Sequence, residues 1–465
     1  MSPVRGGRLH SVKTSFFLDA QAAACSIILC FGLVPSLHCQ DSNALDTLTL
    51  DEAVTLAVHN NRTLQIAALE VEKSKQDAAA FRTKRLPNVS TNLVVGELLT
   101  DVDFRFQEGQ FGTFPGTGPI PSKNISIETG KRPFAFTVAQ VAQPISQQYK
   151  LGLGLRLKQL TTDIESEKLR GQRQAIVSQT KEVYYKLVQT EAALHASQES
   201  LRYYHELDRV TDSYVLEKTA LKSDSLDVKA RVAQEEYAAL RLTNTVSTTK
   251  EQLNLLLGRD IRTDFDIQTI PAATEIEQNL PAAQALALAN RPELRQAQVT
   301  AQQSEYDRRL AKADYIPDVN LLFYYASPFG TDFLPHNVAS LGVQIQWEPL
   351  DWGRRKHEIE QKKLSMQQSQ RALTETQAKI VIEVNDHFRR LSEARALMAL
   401  TNLIREAAGE KLRVITDRYS ENASLLRDVL ESQAAYSQAG SAYQQALASF
   451  WSAKAELERA LGEDR

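Results

Sequence analysis

Residue types that do covalent chemistry are sparse in this 465-residue chain, and they are not gathered together. His59, His195, His205, His336, His357 and His387 show no spacing that would bring several of them to one metal ion, and each is expected as a surface or core residue. No glycine loop of the phosphate-binding kind is present. Cys25, Cys30 and Cys39 all lie near the amino terminus, so the rest of the chain has no disulfide or zinc framework. No catalytic residue, metal or cofactor is therefore expected. One carboxylate does recur in register: Asp224 returns 204 positions later as Asp428, and Leu226 returns with it as Leu430.

That recurrence belongs to a larger duplication. Leu50, Ala53, Leu56, Ala57, Asn60, Leu64 and Ala67 return 230 positions later as Leu280, Ala283, Leu286, Ala287, Asn290, Leu294 and Ala297. The match runs on to Leu86, Pro87 and Val89 against Ile316, Pro317 and Val319. Further along, the displacement falls to 204, with Arg209 and Val210 against Arg413 and Val414, and Leu257 and Gly258 against Leu461 and Gly462. A unit of about two hundred residues is too long for a solenoid repeat, so two equivalent halves of one architecture are expected.

A formal net charge of −3 provides no basic field for nucleic acid. Arg5, Arg8 and Lys13 precede an apolar run over 20–37 and a polar exit at Gln40 and Asp41, the order of a cleaved secretory signal. An amino-terminal anchor is the competing reading, disfavoured by Pro35 and by the lack of a stop-transfer pattern. Cys39 has a poor lead-in for lipidation. After residue 40 nothing is long and apolar enough for a transmembrane helix, so a mature chain that crosses a membrane must do so as a closed barrel.

Each copy reads as helix, strand, loop, strand, very long helix, turn and long helix. The opening helices are expected over 50–85 and 280–315, ended by Pro87 and Pro317. Leu341, Val343, Ile345 and Trp347 alternate with Gly342, Gln344, Gln346 and Glu348, and Val319, Leu321, Phe323 and Tyr325 form the apolar face of the partner strand. The first copy alternates less clearly, through Val89, Thr91, Leu93 and Val95 and then Phe134, Phe136 and Val138. Residues 101–131 and 327–337 read as hairpin tips. Proline and glycine are nearly absent over 155–257 and 354–461. Leu187, Leu194 and Leu201, beside Ile176 and Val183, mark a coiled-coil seam, and Ile380, Val384, Phe388, Leu391 and Met398 mark another. A helix of ~60 residues would be ~90 Å long.

The expected divisions are a signal peptide over 1–39, then for the first repeat a helix over 40–86, a strand pair over 87–145 and long helices over 146–258. A linker over 259–279 follows, and the second repeat has its helix over 280–316, strand pair over 317–349 and long helices over 350–465. Four strands of bilayer-crossing length cannot close a barrel alone, because about eight is the smallest transmembrane number, so several chains would have to pool them. Two soluble hairpins at the end of a coiled coil remain the alternative at this point.

The paired openings (LTLDEAVTLAVHNN and LPAAQALALANRPEL), the helix ends at Leu86–Pro87 and Ile316–Pro317, the strand exit from Trp347 to Arg355, and the segments around Asp224 and Asp428 resemble the TolC-like outer-membrane efflux protein family over nearly all of the mature chain. The resemblance implies a mainly α fold with β. Long coiled-coil helical hairpins would be joined to four transmembrane strands per chain, which contribute to a trimeric twelve-stranded barrel. It further implies a homotrimer in outer-membrane lipid with a periplasmic extension, a passive exit duct of a tripartite efflux or secretion system, and partnership with a periplasmic adaptor protein and an inner-membrane pump that supplies the energy.

By the same resemblance the adaptor would dock at helix turns: Lys218, where the family usually has glycine, with Thr219, Ala220 and Leu221, and Asn422 with Ala423, Ser424 and Leu425. Asp428 and Glu431, with Asp224 and Asp227 as their first-copy equivalents, would ring and constrict the periplasmic entrance. The rival from another class is a soluble periplasmic coiled-coil adaptor or structural protein.

Overall fold

The computed structural model of the chain describes residues 47–130, 133–268, 279–330, 335–421 and 423–463. The signal segment, all three cysteines, Asn422 and residues 269–278 of the linker between repeats lie outside the described residues.

The chain enters through β1 (Thr47–Leu48) and α1 (Leu50–Asn60). Thr49 caps α1: its hydroxyl accepts from the Glu52 N–H at 3.3 Å, and the Glu52 carboxylate accepts from the Thr49 N–H at 3.0 Å. A second helix, α2 (Arg62–Thr83), follows after a single extended residue, Asn61. The uninterrupted helix expected over 50–85 is thus two helices, and so is its counterpart over 280–315, divided at Arg291.

The reason for each break is local. Asn61 turns its side-chain oxygen onto the Thr63 and Leu64 N–H groups at 2.9 and 3.2 Å, which starts a new helix. Arg291 precedes Pro292, whose ring disfavours the helical conformation for the residue before it. Asn61 at φ −61, ψ 123 and Arg291 at φ −64, ψ 122 adopt the same backbone, 230 positions apart.

Beyond α2, i to i+3 bonds from Lys84, Arg85 and Leu86 tighten the last turn before Pro87. Then come β2 (Asn88–Glu97), β3 (Val102–Phe106), β4 (Thr113–Phe114), β5 (Gly118–Pro119), β6 (Ile125–Thr129) and β7 (Pro133–Pro144). The expected tip over 101–131 therefore carries strand pairs of its own, β3 with β6 and β4 with β5. The 70-residue α3 (Gln147–Leu216) and α4 (Lys222–Leu256) form the first long hairpin, and β8 (Asp266–Ile267) pairs in parallel with β1. The second copy runs through α5 (Leu280–Asn290), α6 (Pro292–Ala313), β9 (Asp318–Phe329), β10 (Val338–Gln346), α7 (Arg354–Ser420, 67 residues) and α8 (Leu426–Ala460). At 1.5 Å per residue α3 and α7 are each ~100 Å long. Among the described residues no helix is long and apolar enough to cross a membrane.

Four strands make one antiparallel sheet in the order β10, β9, β7, β2, with β7 against β9 joining the two copies. Its register puts every odd-numbered residue on one face: Val89 opposes Val141, Val141 opposes Phe323, and Phe323 opposes Leu341. Phe134, Phe136 and Val138 therefore lie on the other face from Val89, Leu93 and Val95. Phe134 has a specific neighbour there, since it opposes Gly96, where an added Cβ would come within 2.9 Å of the Phe134 ring.

The main core lies where the helix breaks meet the last turns of α4 and α8 and the adjoining stretches of α3 and α7. Duplicated residues are buried in pairs: Ala53 and Ala283, Ala57 and Ala287, Leu64 and Leu294, Leu253 and Leu457. The Asn61 amide donates to the Leu256 carbonyl at 2.9 Å, and the Arg291 guanidinium reaches the Ala460 carbonyl at 3.4 Å, so both copies tie the helix break to the end of the returning helix. Arg291 is balanced by Glu383 and Glu293 at 2.8 and 2.9 Å, as a buried cation requires. The seam along α3 departs from the leucine stripe. Leu187 is fully buried and Leu194 and Leu201 only half-buried, while Thr190, Ser197, Tyr204 and Thr211 continue the buried row at seven-residue spacing.

Candidate functional site

The turns at the far ends of the two hairpins are built alike. Leaving α3, the Thr219 and Ala220 N–H groups both donate to the Tyr214 carbonyl, at 2.9 and 3.2 Å. Leaving α7, the Ala423 N–H donates to the Arg418 carbonyl at 2.8 Å, the same bond 204 positions later. Lys218 takes the left-handed conformation (φ 59) that glycine would adopt without strain. That costs a residue with a Cβ about 1–2 kcal/mol, offset by the paired bonds to Tyr214 and by the Thr219 hydroxyl, which also donates to Tyr214 at 3.0 Å. The first tip thus keeps the turn that a glycine would make.

Leu221 and Leu425 begin α4 and α8, and neither has a side-chain acceptor for the free N–H groups of a helix start. The acids three residues on act in reverse. One Asp224 oxygen accepts from the Leu221 N–H at 3.2 Å, and one Asp428 oxygen from the Leu425 N–H and the Ser424 hydroxyl, both at 3.4 Å. Both carboxylates also sit in a first helical turn, where the helix dipole favours negative charge. Asp224 and Asp428 are therefore half-buried structural caps, while Asp227 and Glu431, three residues further, are exposed. Expected results separate cap from charge. Asp428→Ala removes the cap and loosens the start of α8 by about 1 kcal/mol, seen as faster hydrogen exchange there. Asp428→Asn keeps an acceptor for Leu425 and holds the exchange rates while removing the charge.

Around the turns Leu216, Leu221, Leu226 and Leu425 are exposed, an unusual density of apolar side chains for a solvated hairpin end. Beneath the tips the two hairpins pack together through Tyr204, Leu207 and Val228 of the first and Tyr419, Leu426 and Leu430 of the second. The first hairpin is also held across its own helices. The Asp212 carboxylate accepts from the Ser225 hydroxyl at 2.6 Å and from the Lys229 ammonium at 3.0 Å.

The Ser225 hydroxyl, and then Lys229, hold the Asp212 carboxyl below its ordinary range. A depressed carboxyl contributes stability above its unfolded pKa and loses it as pH falls through the folded value. Acidification below the ordinary carboxylate range should therefore loosen the α3–α4 end before the α7–α8 end, where Thr416, Val429 and Gln433 stand at the equivalent positions. Amide protection factors around Asp212 and Thr416, followed against pH, would show this order; equal loosening would contradict it.

Nothing in the sequence pattern marks out Asp212, Ser225 or Lys229, because Asp212 meets Ser225 and Lys229 only once the hairpin folds about its turn. Arg427 also stood outside the expected site. It lies 3.9 Å from Asp428 and 3.7 Å from Glu431, and its i, i+4 spacing to Glu431 was the signal that could have found it. Among the described residues no group of three or more His, Cys, Asp or Glu side chains is placed to hold a metal ion. What the tips offer is a fixed pattern of charge and an exposed apolar rim.

Residues 284–463 match the family of outer membrane efflux proteins. No curated protein matches the chain. The fold is similar to that of the Campylobacter jejuni CmeC outer membrane channel, at TM-score 0.74 and 14% identity over 89% of this chain and 85% of that one. It is also similar to the outer membrane protein VceC of Vibrio cholerae, at TM-score 0.72 and 16% identity over 89% and 96%. The open state of the Neisseria gonorrhoeae MtrE outer membrane channel gives TM-score 0.69 and 15% identity over 89% of each chain. The second repeat thus matches the outer membrane efflux protein family in sequence, and the chain as a whole shares the fold of solved outer membrane channels.

Proposed function

We propose that three copies of this chain pool their four-stranded sheets into one twelve-stranded barrel in the outer membrane, continued into the periplasm by a tunnel of the long helices. In this reading the assembly is a passive exit duct of a tripartite efflux or secretion system and not an enzyme. An inner-membrane pump supplies the energy, and a periplasmic adaptor docks at the tips formed by Lys218, Thr219, Ala220 and Leu221 and by Asn422, Ala423, Ser424 and Leu425. Asp428 and Glu431, with Asp224 and Asp227, line the periplasmic entrance and favour cations.

The observation that carries this reading is the chemistry of the sheet. Residues 88–96, 133–144, 319–329 and 338–346 contain no Asp, Glu, Lys or Arg. The odd-numbered face carries Val89, Leu93, Val95, Leu321, Leu341 and Val343, all exposed, and the other face carries the polar Ser90, Asn92, Gln140, Asn320, Gln344 and Gln346 interspersed with Val94, Phe134, Phe136, Val138 and Leu322. A soluble sheet would bury its apolar face against another layer. Strands of 9 to 12 residues at ~3.4 Å per residue span ~30–40 Å, enough when tilted for the ~25 Å apolar band of an outer-membrane barrel. The sheet ends in two open edges, β2 and β10, which pairing with neighbouring copies would close.

Membrane fractionation tests the reading. The native protein should stay with the outer membrane through high-salt washing and osmotic shock and leave it only in detergent. Release by salt or shock would identify a soluble periplasmic protein instead.

A further inference from the structure

We propose that Arg427 tunes the charge of the entrance by offsetting the carboxylates of Asp428 and Glu431. The inference rests on the placement of those two acids at the entrance given above. The Arg427 Nη2 atom stands 3.9 Å from an Asp428 oxygen, and its Nε atom 3.7 Å from a Glu431 oxygen, so one guanidinium lies against both acids. These three groups together leave one net negative charge per chain where the acids alone would give two.

Among the described residues the first copy shows no ion pair of this kind to Asp224 or Asp227. The residue equivalent to Arg427 is Ser223, whose hydroxyl lies 3.5 Å from Asp224. Lys229, further along that helix, is drawn away to Asp212 and Asp208. The duplication therefore yields two unequal acid pairs, one without a cation at the equivalent position and one offset.

The Arg427 side chain is 77% exposed, and its two contacts are longer than direct charge-assisted hydrogen bonds. Such a pair does little for stability, and its field is screened beyond ~10 Å at 0.1 M salt. A residue of this kind acts on ions nearby and not on the fold, so removing it should leave the trimer intact.

The test uses the full-length protein in planar bilayers under a potassium chloride gradient, reading the reversal potential for the native chain, Arg427→Gln, Arg427→Lys and the double variant Asp428→Asn with Glu431→Gln. Arg427→Gln should raise the cation-to-anion permeability ratio about threefold, the factor for one kT of local potential, with a larger effect at low salt than at high salt. Arg427→Lys should match the native protein, and the double variant should lower the ratio. An unchanged ratio in Arg427→Gln together with a lowered ratio in the double variant would overturn this inference and leave the entrance assignment standing. If the double variant also left the ratio unchanged, the entrance assignment itself would fail.

Discussion

Val343→Arg should prevent stable assembly in the membrane, while Gln344→Arg at the next position should be tolerated. Val343 sits in the middle of β10 on the odd-numbered face, opposite Leu321, with its side chain 64% exposed in the single chain. On the lipid side of a barrel an arginine near the midplane costs about 2–4 kcal/mol, and threefold symmetry would impose that cost three times on one assembly. Gln344 opposes Asn320 on the other face, which in the proposed barrel would meet the water of the lumen and accommodate charge. Urea unfolding from lipid vesicles and the yield of folded trimer are the measurements. Equal tolerance of both arginines would mean that the apolar face does not meet lipid, and equal damage would mean that the face is not what matters.

The second large effect lies in the main core. Gly258 and Gly462 follow the ends of α4 and α8, 204 positions apart, both at positive φ (69 and 78). A Cβ on Gly258 would stand 2.2 Å from the Asn60 carbonyl oxygen, and one on Gly462 would stand 2.9 Å from the Asn290 carbonyl carbon. Each glycine lets a long helix end directly against a helix break, beside the Asn61 and Arg291 contacts. Gly258→Ala combines left-handed strain of about 1–2 kcal/mol with overpacking of about 1–3 kcal/mol against backbone that has little room to move, about 2–5 kcal/mol in all. Gly353 is a control, because its φ is 89 but a Cβ added there would meet nothing within 4 Å. Gly353→Ala should therefore cost only the strain of about 1–2 kcal/mol. Chemical denaturation midpoints should rank Gly258→Ala well below Gly353→Ala; equal midpoints would contradict the close approach.

Much of this architecture was legible because a duplicated chain states each feature twice. Leu64 with Leu294 and Gly258 with Gly462 recur at fixed displacements and fall in equivalent buried or turning positions. Pro87 and Pro317 marked helix ends because a missing N–H is a strong local signal. The breaks at Asn61 and Arg291 were harder to see, since apolar residues continue at helical spacing on both sides. Only the Asn61 cap and Pro292 betray them, and the long-range bonds to Leu256 and Ala460 appear only when the hairpins return.

The sheet followed the same division. Alternation within β9 and β10 placed their faces, whereas the side on which Phe134 and Phe136 lie depends on register against β2, which a period of two cannot supply by itself. At the tips the acids were visible as a repeat, but their capping of Leu221 and Leu425 was not, because a leucine at a helix start gives no hint that the third residue will reach back. Lys218 looked like a break in the pattern, yet the turn keeps its shape through hydrogen bonds that involve no side chain of Lys218.

The most direct test of the account is electrical. Full-length protein purified in detergent and added to a planar lipid bilayer should insert as trimers and produce discrete, uniform conductance steps. Protein that remains monomeric and passes no current at any concentration would contradict the barrel, and with it the duct.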